Sequence, residues 1–169
     1  MPNERPAAGI DDVDRAILEA LTDDARIPNN RLAERLGIAP STCLARVRAL
    51  RSSGVLHGFH ADVDLSALGR PLQAMIAVRL TVHHREEIEG FTRAVRELPG
   101  VLSVFHVAGV NDYLVWVAAA DAQDLREFVV DHLATHPSVA HAETSLIYEH
   151  RRGPGPWRNR NTETDDLQS

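Results

Sequence analysis

Arginine and hydroxyl side chains are concentrated in one short segment of this 169-residue chain. Residues 31–51 hold five arginines against one glutamate, a local charge of +4, although the net charge of the whole chain is −6. A basic patch on an otherwise neutral or acidic chain is suited to contacting phosphate groups. This segment is therefore the first candidate for a binding surface.

The spacing of the apolar residues in this segment indicates a helix with two different sides. At about 100° per residue, one side collects Cys43, Leu44, Val47 and Leu50. The opposite side carries small and hydroxyl residues, as a helix in the DNA major groove presents them, namely Ser41, Thr42 and Ala45. We expect Arg46, Arg48 and Arg51 to reach phosphates beside that side. The alternative is a plain helical hairpin whose arginines are only solvated.

A second polar group, Gly109-Val110-Asn111-Asp112-Tyr113, separates two apolar stretches. Gly, Asn and Asp are typical of hairpin turns, so a purely structural turn is one interpretation. The other is a ligand site, because Gly109 permits close approach of backbone N–H groups to a carboxylate and Asp112 can pair with an ammonium group. A zwitterion would satisfy both groups, and we include Asn111 and Tyr113 in the predicted site.

Cysteine and histidine offer weaker candidates. Cys43, the only cysteine, falls on the apolar side of its helix and is expected to be a small buried residue, not a nucleophile. His132 and His136 have the i, i+4 spacing of zinc-binding histidines, but Leu133 stands where a metalloprotease helix carries its glutamate. We predict no catalytic residue, no metal site and no cofactor.

Three helices are predicted to position the basic segment. Apolar residues recur at three- and four-residue spacing over about residues 12–23, which indicates an amphipathic helix. A second short helix follows Pro28 and ends at Gly37, and a third begins near Ser41 and ends at Gly54. A short turn between the second and third helices is typical of a helix-turn-helix.

Beyond residue 54 the pattern alternates between strands and helices. Strands are predicted over 72–82, 101–108, 113–120 and 139–148, and helices over 86–98 and 122–135. The order βαββαβ predicts an α+β chain whose second domain is ferredoxin-like. Strand one is apolar on both faces, at Met75, Ala77 and Leu80 among others, whereas helices can cover only one face. We therefore predict a homodimer, which assembles further into a tetramer or octamer.

The predicted organisation has five parts. Flexible residues 1–9 precede a helix-turn-helix domain over 10–54, a linker over 55–71, a ligand-sensing and oligomerisation domain over 72–150, and a flexible tail over 151–169. No apolar run reaches the length of a membrane span, and residues 1–30 lack the pattern of a signal peptide. A single cysteine agrees with a reducing compartment. We expect a cytoplasmic, nucleoid-associated protein with no membrane partner.

The sequence resembles the leucine-responsive and asparagine-responsive regulators, the Lrp/AsnC or feast/famine family. The resemblance covers about residues 10–150 and rests on motifs that match in order. These are Asp14-Arg15, Asp24-Ala25-Arg26, Leu32-Ala33, Gly37, Cys43-Leu44, Arg46-Val47, Gly54-Val55-Leu56, Leu68-Gly69, Leu98-Pro99-Gly100-Val101 and Gly109-x-Asn111-Asp112-Tyr113-Leu114.

The resemblance implies a (winged) helix-turn-helix domain that binds double-stranded DNA, followed by a βαββαβ effector domain. It also implies that the turn from Gly109 to Asp112 lies at a contact between dimers and helps to hold an amino-acid effector. The expected function is a sequence-specific transcriptional regulator that responds to an amino acid or a related metabolite. Two alternatives stay open: an Lrp-like sirohaem decarboxylase, which shares the two-domain layout, and a ligand-independent nucleoid-organising protein.

Overall fold

The structure, a computed structural model, describes residues 9–81 and 84–153 of the chain. These residues form two compact units: the first holds the described residues up to Asp62 together with Arg152 and Gly153, and the second holds those from Val63 to Arg151. The ends that we expect to be flexible lie almost wholly outside the described residues, in 1–8 and 154–169. Within the described ranges, none of the helices has both the length and the apolar character needed to span a membrane.

The first unit contains the three predicted helices, α1 (Asp12–Asp23), α2 (Asn29–Leu36) and α3 (Pro40–Ser52). Asp11 caps α1: its carboxylate accepts a hydrogen bond from the Asp14 N–H at 2.8 Å and thereby satisfies a backbone donor that the helix leaves unpaired. α2 ends at Gly37, and Pro40 is the first residue of α3. Residues 53–62 continue without a strand.

The core of this unit is formed by residues from all three helices, namely Ile17, Leu18, Ala20, Leu21, Leu32, Ala33, Cys43 and Leu50. α3 contributes Cys43 and Leu50, with Val47 packed against them. Leu44, which the helical projection placed on the same side, is instead 39% exposed. Leu44 lies about 100° round the helix from Cys43, so it falls outside the side of α3 that packs in the core.

The second unit has the predicted βαββαβ order. Its elements are β1 (Leu72–Leu80), α4 (Arg85–Arg96), β2 (Val101–His106), β3 (Tyr113–Ala119), α5 (Ala122–Phe128) and β4 (Val139–Ile147). The strands form one antiparallel sheet in the order β2-β3-β1-β4. This strand order with two connecting helices is the ferredoxin-like arrangement, so the predicted fold is confirmed.

The second helix of this unit departs from the single α-helix predicted over residues 122–135. After Phe128 the chain continues as a π-helical segment, Val129–Ala134. Leu125 and Leu133 are both buried, yet residues eight apart on an α-helix point about 80° away from each other. The wider π turns reduce that offset, so both leucines pack on the sheet.

The two faces of the sheet have different surroundings. Alternate β1 residues, Ala74, Ile76, Val78 and Leu80, pack with apolar residues of α4, α5 and the π-helical segment. The outer face carries partly exposed apolar residues, namely Met75, Ala77, Leu114 and Trp116. Both helices belong to the inner layer, so the outer face has no second layer within the described part of the unit.

Candidate nucleic-acid interface and ligand turn

The N-terminal part of α3 presents the small and hydroxyl side chains that the sequence predicted. Ser41, Thr42 and Ala45 are all exposed. The start of α3 is fixed to the start of α2, because the Asn29 side-chain amide donates a hydrogen bond to the Pro40 carbonyl at 2.9 Å. The short turn between α2 and α3 therefore holds this surface outward, as a helix-turn-helix requires.

Arg48 and Arg51 extend the exposed surface of α3. Both side chains are exposed, and within residues 9–81 and 84–153 neither forms an ion pair with an acidic residue. Arg51 lies over the ring of Phe59, with its guanidinium carbon 5.9 Å from the ring centroid. Their positive charges are thus exposed, and the phosphate contacts expected of them stay a prediction.

Arg46 is placed differently from its two neighbours. Its Nη1 donates to Asp11 Oδ2 at 2.7 Å and to Asp14 Oδ1 at 2.9 Å. The two carboxylates raise the pKa of the Arg46 guanidinium, Asp14 having the larger effect. The pKa of Asp11 is lowered, first by the hydrogen bond from the Asp14 N–H and then by Arg46. The structure therefore separates Arg46 from Arg48 and Arg51, with which the sequence had grouped it.

The involvement of Asp11 and Asp14 was missed at the sequence level. The sequence indicated Asp14 only as part of the Asp14-Arg15 motif, and Asp11 only precedes the predicted helix. The available signal was a pair of carboxylates three residues apart, hence on one side of a helix. Finding their partner required knowing that α3 crosses the start of α1, a contact between residues 32 and 35 positions apart.

The turn from Gly109 to Asp112 joins β2 to β3 as a hairpin. The Val107 N–H donates to the Asp112 carbonyl at 2.9 Å and closes the loop. Gly109 is exposed, its φ is 143°, and nothing lies within 4 Å of the position a Cβ would take. Val110 at the tip is 81% exposed, whereas Asn111 is partly buried. The loop thus has open space beside its backbone on the Gly109 side.

Asp112 connects this turn to the end of β1. Its N–H donates to the Val78 carbonyl at 2.9 Å, and its carboxylate Oδ2 accepts from the Leu80 N–H at 2.8 Å. This is where the register between β1 and β4 shifts, between Arg79 and Leu80. Asp112 therefore stabilises the sheet as well as shaping the turn, and its replacement would alter both.

Tyr113 is a core residue, not an exposed part of the turn. It is 0% exposed, and its hydroxyl donates to the Ile88 carbonyl at 3.0 Å and lies 2.8 Å from Thr92 Oγ1. Its ring packs on Phe91 and on His106, at centroid distances of 4.9 and 4.8 Å. The Tyr113 side chain is therefore buried against α4 and is not placed for the direct ligand contact that the sequence predicted. Tyr113 contributes to the turn by fixing its position.

The cysteine and the two histidines that the sequence singled out make packing contacts within the fold. Cys43 is fully buried, and this burial raises the pKa of its thiol. The His132 ring packs against Phe128, and the His136 ring packs against Phe91 while its Nδ1 accepts from the Ser138 N–H. No group of three or more metal-ligating side chains is found among the described residues.

Comparison with known families matches both units. Residues 10–56 match the family described as winged helix-turn-helix DNA-binding. Residues 73–153 match the Lrp/AsnC ligand binding domain. The two matches together cover most of the described chain and divide it where the structure does.

Individual relatives agree with this assignment. The chain is 50% identical over 155 residues to the HTH-type transcriptional regulator AldR of Mycolicibacterium smegmatis, covering 92% of this chain and 91% of that protein. The crystal structure of MtbAldR superposes with a TM-score of 0.75 at 45% identity, covering 87% of this chain and 97% of that one. A transcriptional regulator from Neisseria meningitidis in complex with L-methionine gives a TM-score of 0.77 at 31% identity, covering 85% and 92%.

Proposed function

Because the chain belongs to the Lrp/AsnC family of transcriptional regulators, we propose that it binds double-stranded DNA through α3 and adjusts that binding when an amino-acid-like effector occupies its second unit. The observation that carries the DNA-binding half is the exposed surface of α3, with Ser41, Thr42 and Ala45 next to the exposed Arg48 and Arg51. Small and hydroxyl side chains allow the helix to approach the base edges, and arginines beside them bind the phosphate backbone of the DNA.

A DNA-binding titration tests this half. We expect the full chain to bind a duplex from the region upstream of its own gene more tightly than a scrambled duplex of equal length and composition. Thr42→Glu, which sets a carboxylate against the DNA, should abolish the preference. Asp12→Asn, an exposed substitution on α1, is the matched control and should retain it. Equal binding of the two duplexes by the wild-type chain would refute sequence-specific recognition.

For the effector, we propose that the exposed backbone at Gly109 receives the carboxylate of a small amino acid, with Asn111 and Asp112 beside its ammonium group. Gly109 has open space where a side chain would otherwise stand, and carboxylates bind well to unpaired backbone N–H groups. The complex of the Neisseria meningitidis relative with L-methionine supports an amino acid as the class of effector.

Calorimetric titration with each of the twenty amino acids tests the effector proposal. We expect at least one to bind, Asn111→Ala to weaken it, and the tip substitution Val110→Ala to leave it unchanged. Asp112 is a poor choice because its replacement also removes the hydrogen bond to the Leu80 N–H. Coupling of about 1–3 kcal/mol would change DNA affinity roughly 5- to 150-fold, and DNA must change effector affinity by the same factor. If none of the twenty binds, the effector proposal is wrong, and the alternative is a ligand-independent role in DNA organisation.

We further propose that the chain acts as a homodimer, which can assemble further, in the cytoplasm. A second copy placed against the outer face of the sheet would bury Met75, Leu114 and Trp116. A two-fold axis would present two copies of α3 to DNA about one helical turn, or a multiple of it, apart. Palindromic sites are therefore expected upstream of the regulated genes.

A further inference from the structure

Arg46 joins the middle of α3 to the beginning of α1 in the first unit. Its Nη1 lies 2.7 Å from Asp11 Oδ2 and 2.9 Å from Asp14 Oδ1, and its side chain is 33% exposed. The Asp14 side chain is only 16% exposed. An ion pair that is partly shielded from water and made to two carboxylates is stronger and more directional than an exposed single pair.

The Asp11 carboxylate performs two tasks at this point. Oδ1 accepts from the Asp14 N–H and caps α1, while Oδ2 accepts from Arg46. A single carboxylate thus fixes both the first turn of α1 and the position of α3 across it. The ion pair thus adds a directional contact to the apolar packing between α1 and α3, which is itself non-directional.

Arg46 also lies on the wall of a surface pocket of the first unit. Among the described residues this pocket has a volume of about 250 Å³, and its lining includes Asp14 of α1 and Ala49 and Leu50 of α3. Arg46 therefore contacts the start of α1 at the edge of the helix packing, where a directional ion pair adds to the apolar contacts.

We propose, on the basis of the DNA-binding role above, that Arg46 is a positioning residue that sets the angle of α3 and does not itself neutralise a DNA phosphate. The phosphate contacts then fall to Arg48 and Arg51, which have no acidic partner in the described chain. A phosphate approaching Arg46 would meet two carboxylates around one guanidinium, a local charge of −1, so binding there is opposed.

Two DNA-binding observables separate positioning from phosphate contact: the affinity ratio between the upstream and scrambled duplexes, and the slope of log affinity against log salt concentration. Loss of one phosphate contact lowers the slope by about one and weakens binding to all sequences alike. Loss of positioning lowers the affinity ratio and leaves the slope unchanged. We would measure both for wild type, Arg46→Gln, Asp14→Asn, Asp11→Asn and Arg48→Gln.

We expect Arg46→Gln and Asp14→Asn each to lower the affinity ratio roughly two- to fivefold without changing the slope. The double variant should be no worse than either single one, because both remove the same contact. Arg48→Gln should lower the slope by about one and keep the ratio. Asp11→Asn is the mild variant, since asparagine still caps α1, and circular dichroism would confirm that each variant is folded.

Changes in affinity and in the salt slope opposite to those expected would overturn the inference. If Arg46 contacts DNA, Asp14→Asn releases it, so affinity for both duplexes rises and the slope steepens. A slope lower by about one for Arg46→Gln, with the affinity ratio unchanged, would also show that Arg46 contacts a DNA phosphate. Absence of any preference in the wild-type chain would instead refute the proposed function, and the inference with it.

Discussion

At the scale of single residues, the structure assigns charge and hydrogen bonding more finely than residue type does. Three arginines within six positions of α3 have three different environments: Arg46 is paired with two carboxylates, Arg48 is exposed, and Arg51 lies over Phe59. Tyr113 similarly looks like part of a polar turn but is fully buried. Two predictions follow from such local contacts.

The first concerns pH. The pKa of Asp11 is lower in the folded chain than its ordinary value of 3.8, because of the Asp14 N–H and Arg46. A lowered folded-state pKa stabilises the fold above the unfolded value and loses that effect as pH falls through the folded value. Asp11→Asn should therefore lower the melting temperature at pH 7, and the difference should shrink as the pH falls below 3.8 and through the lowered folded-state pKa of Asp11. Asp12→Asn is the control, and an equal effect of both variants would mean that the Arg46 contact contributes nothing.

The second concerns the Tyr113 hydroxyl. Tyr113→Phe leaves the ring in place but removes the hydrogen bonds to the Ile88 carbonyl and to Thr92. We expect the free energy of unfolding to fall by about 1 kcal/mol, as measured by urea denaturation. Tyr148→Phe, at a tyrosine that is 98% exposed, should have no effect. A neutral Tyr113→Phe would show that water replaces the lost partner.

At the scale of elements, most of both units follows from apolar periodicity. The three-helix unit and the βαββαβ order are encoded by the spacing of residues such as Ile17, Leu21 and Ile76, which decide the buried side of each element. The π-helical segment depends on where Leu133 meets the sheet, and the Arg46 ion pair on a contact 35 residues apart. The π-helical segment has no local signal, and the carboxylate pair of Asp11 and Asp14 does not by itself identify Arg46 as its partner, because both features arise only when elements are packed together.

Gly100 provides a test at this scale. It precedes β2 with a φ of 86°, and a Cβ there would lie 2.7 Å from the Ala118 carbonyl oxygen and 3.1 Å from Arg70 Nη1. Gly100→Ala should destabilise the second unit by about 2–4 kcal/mol, because backbone strain is added to a clash with main-chain atoms. Gly90→Ala in α4, where nothing lies within 4 Å, should stabilise it by up to about 1 kcal/mol. Thermal unfolding of the two variants measures this difference in sign.

At the scale of the whole molecule, we expect a second copy to pack on the outer face of the sheet, because no helix among the described residues covers it. Apolar side chains from β1 and β3 lie side by side there, with Met75 directly opposite Trp116. The Trp116 indole N–H is already bonded to Gln73 at 3.1 Å, so its polar atom is satisfied and its ring can be buried. Such a face is expected to be covered in solution.

Light scattering tests the assembly. We expect the wild-type chain to have at least twice its mass of 18.6 kDa at micromolar concentration, and Leu114→Asp, on the outer face, to reduce it to the single-chain mass. Val130→Asp, at a 45% exposed apolar residue of the π-helical segment, should leave the mass unchanged. A Leu114→Asp chain that stays folded and dimeric would place the subunit contact elsewhere.

The burial of Cys43 has a practical consequence, since it is the only thiol in the chain and lies within the core of the helical unit. A thiol reagent can modify it only when that unit opens, because in the closed form the sulfur is buried and its pKa is raised by that burial. The rate of labelling therefore reports the opening of the DNA-binding unit alone, without interference from the sheet. Bound DNA that holds α3 in place should slow labelling in proportion to the fraction of protein bound. The labelling rate of this natural cysteine therefore measures how tightly the regulator binds its operator.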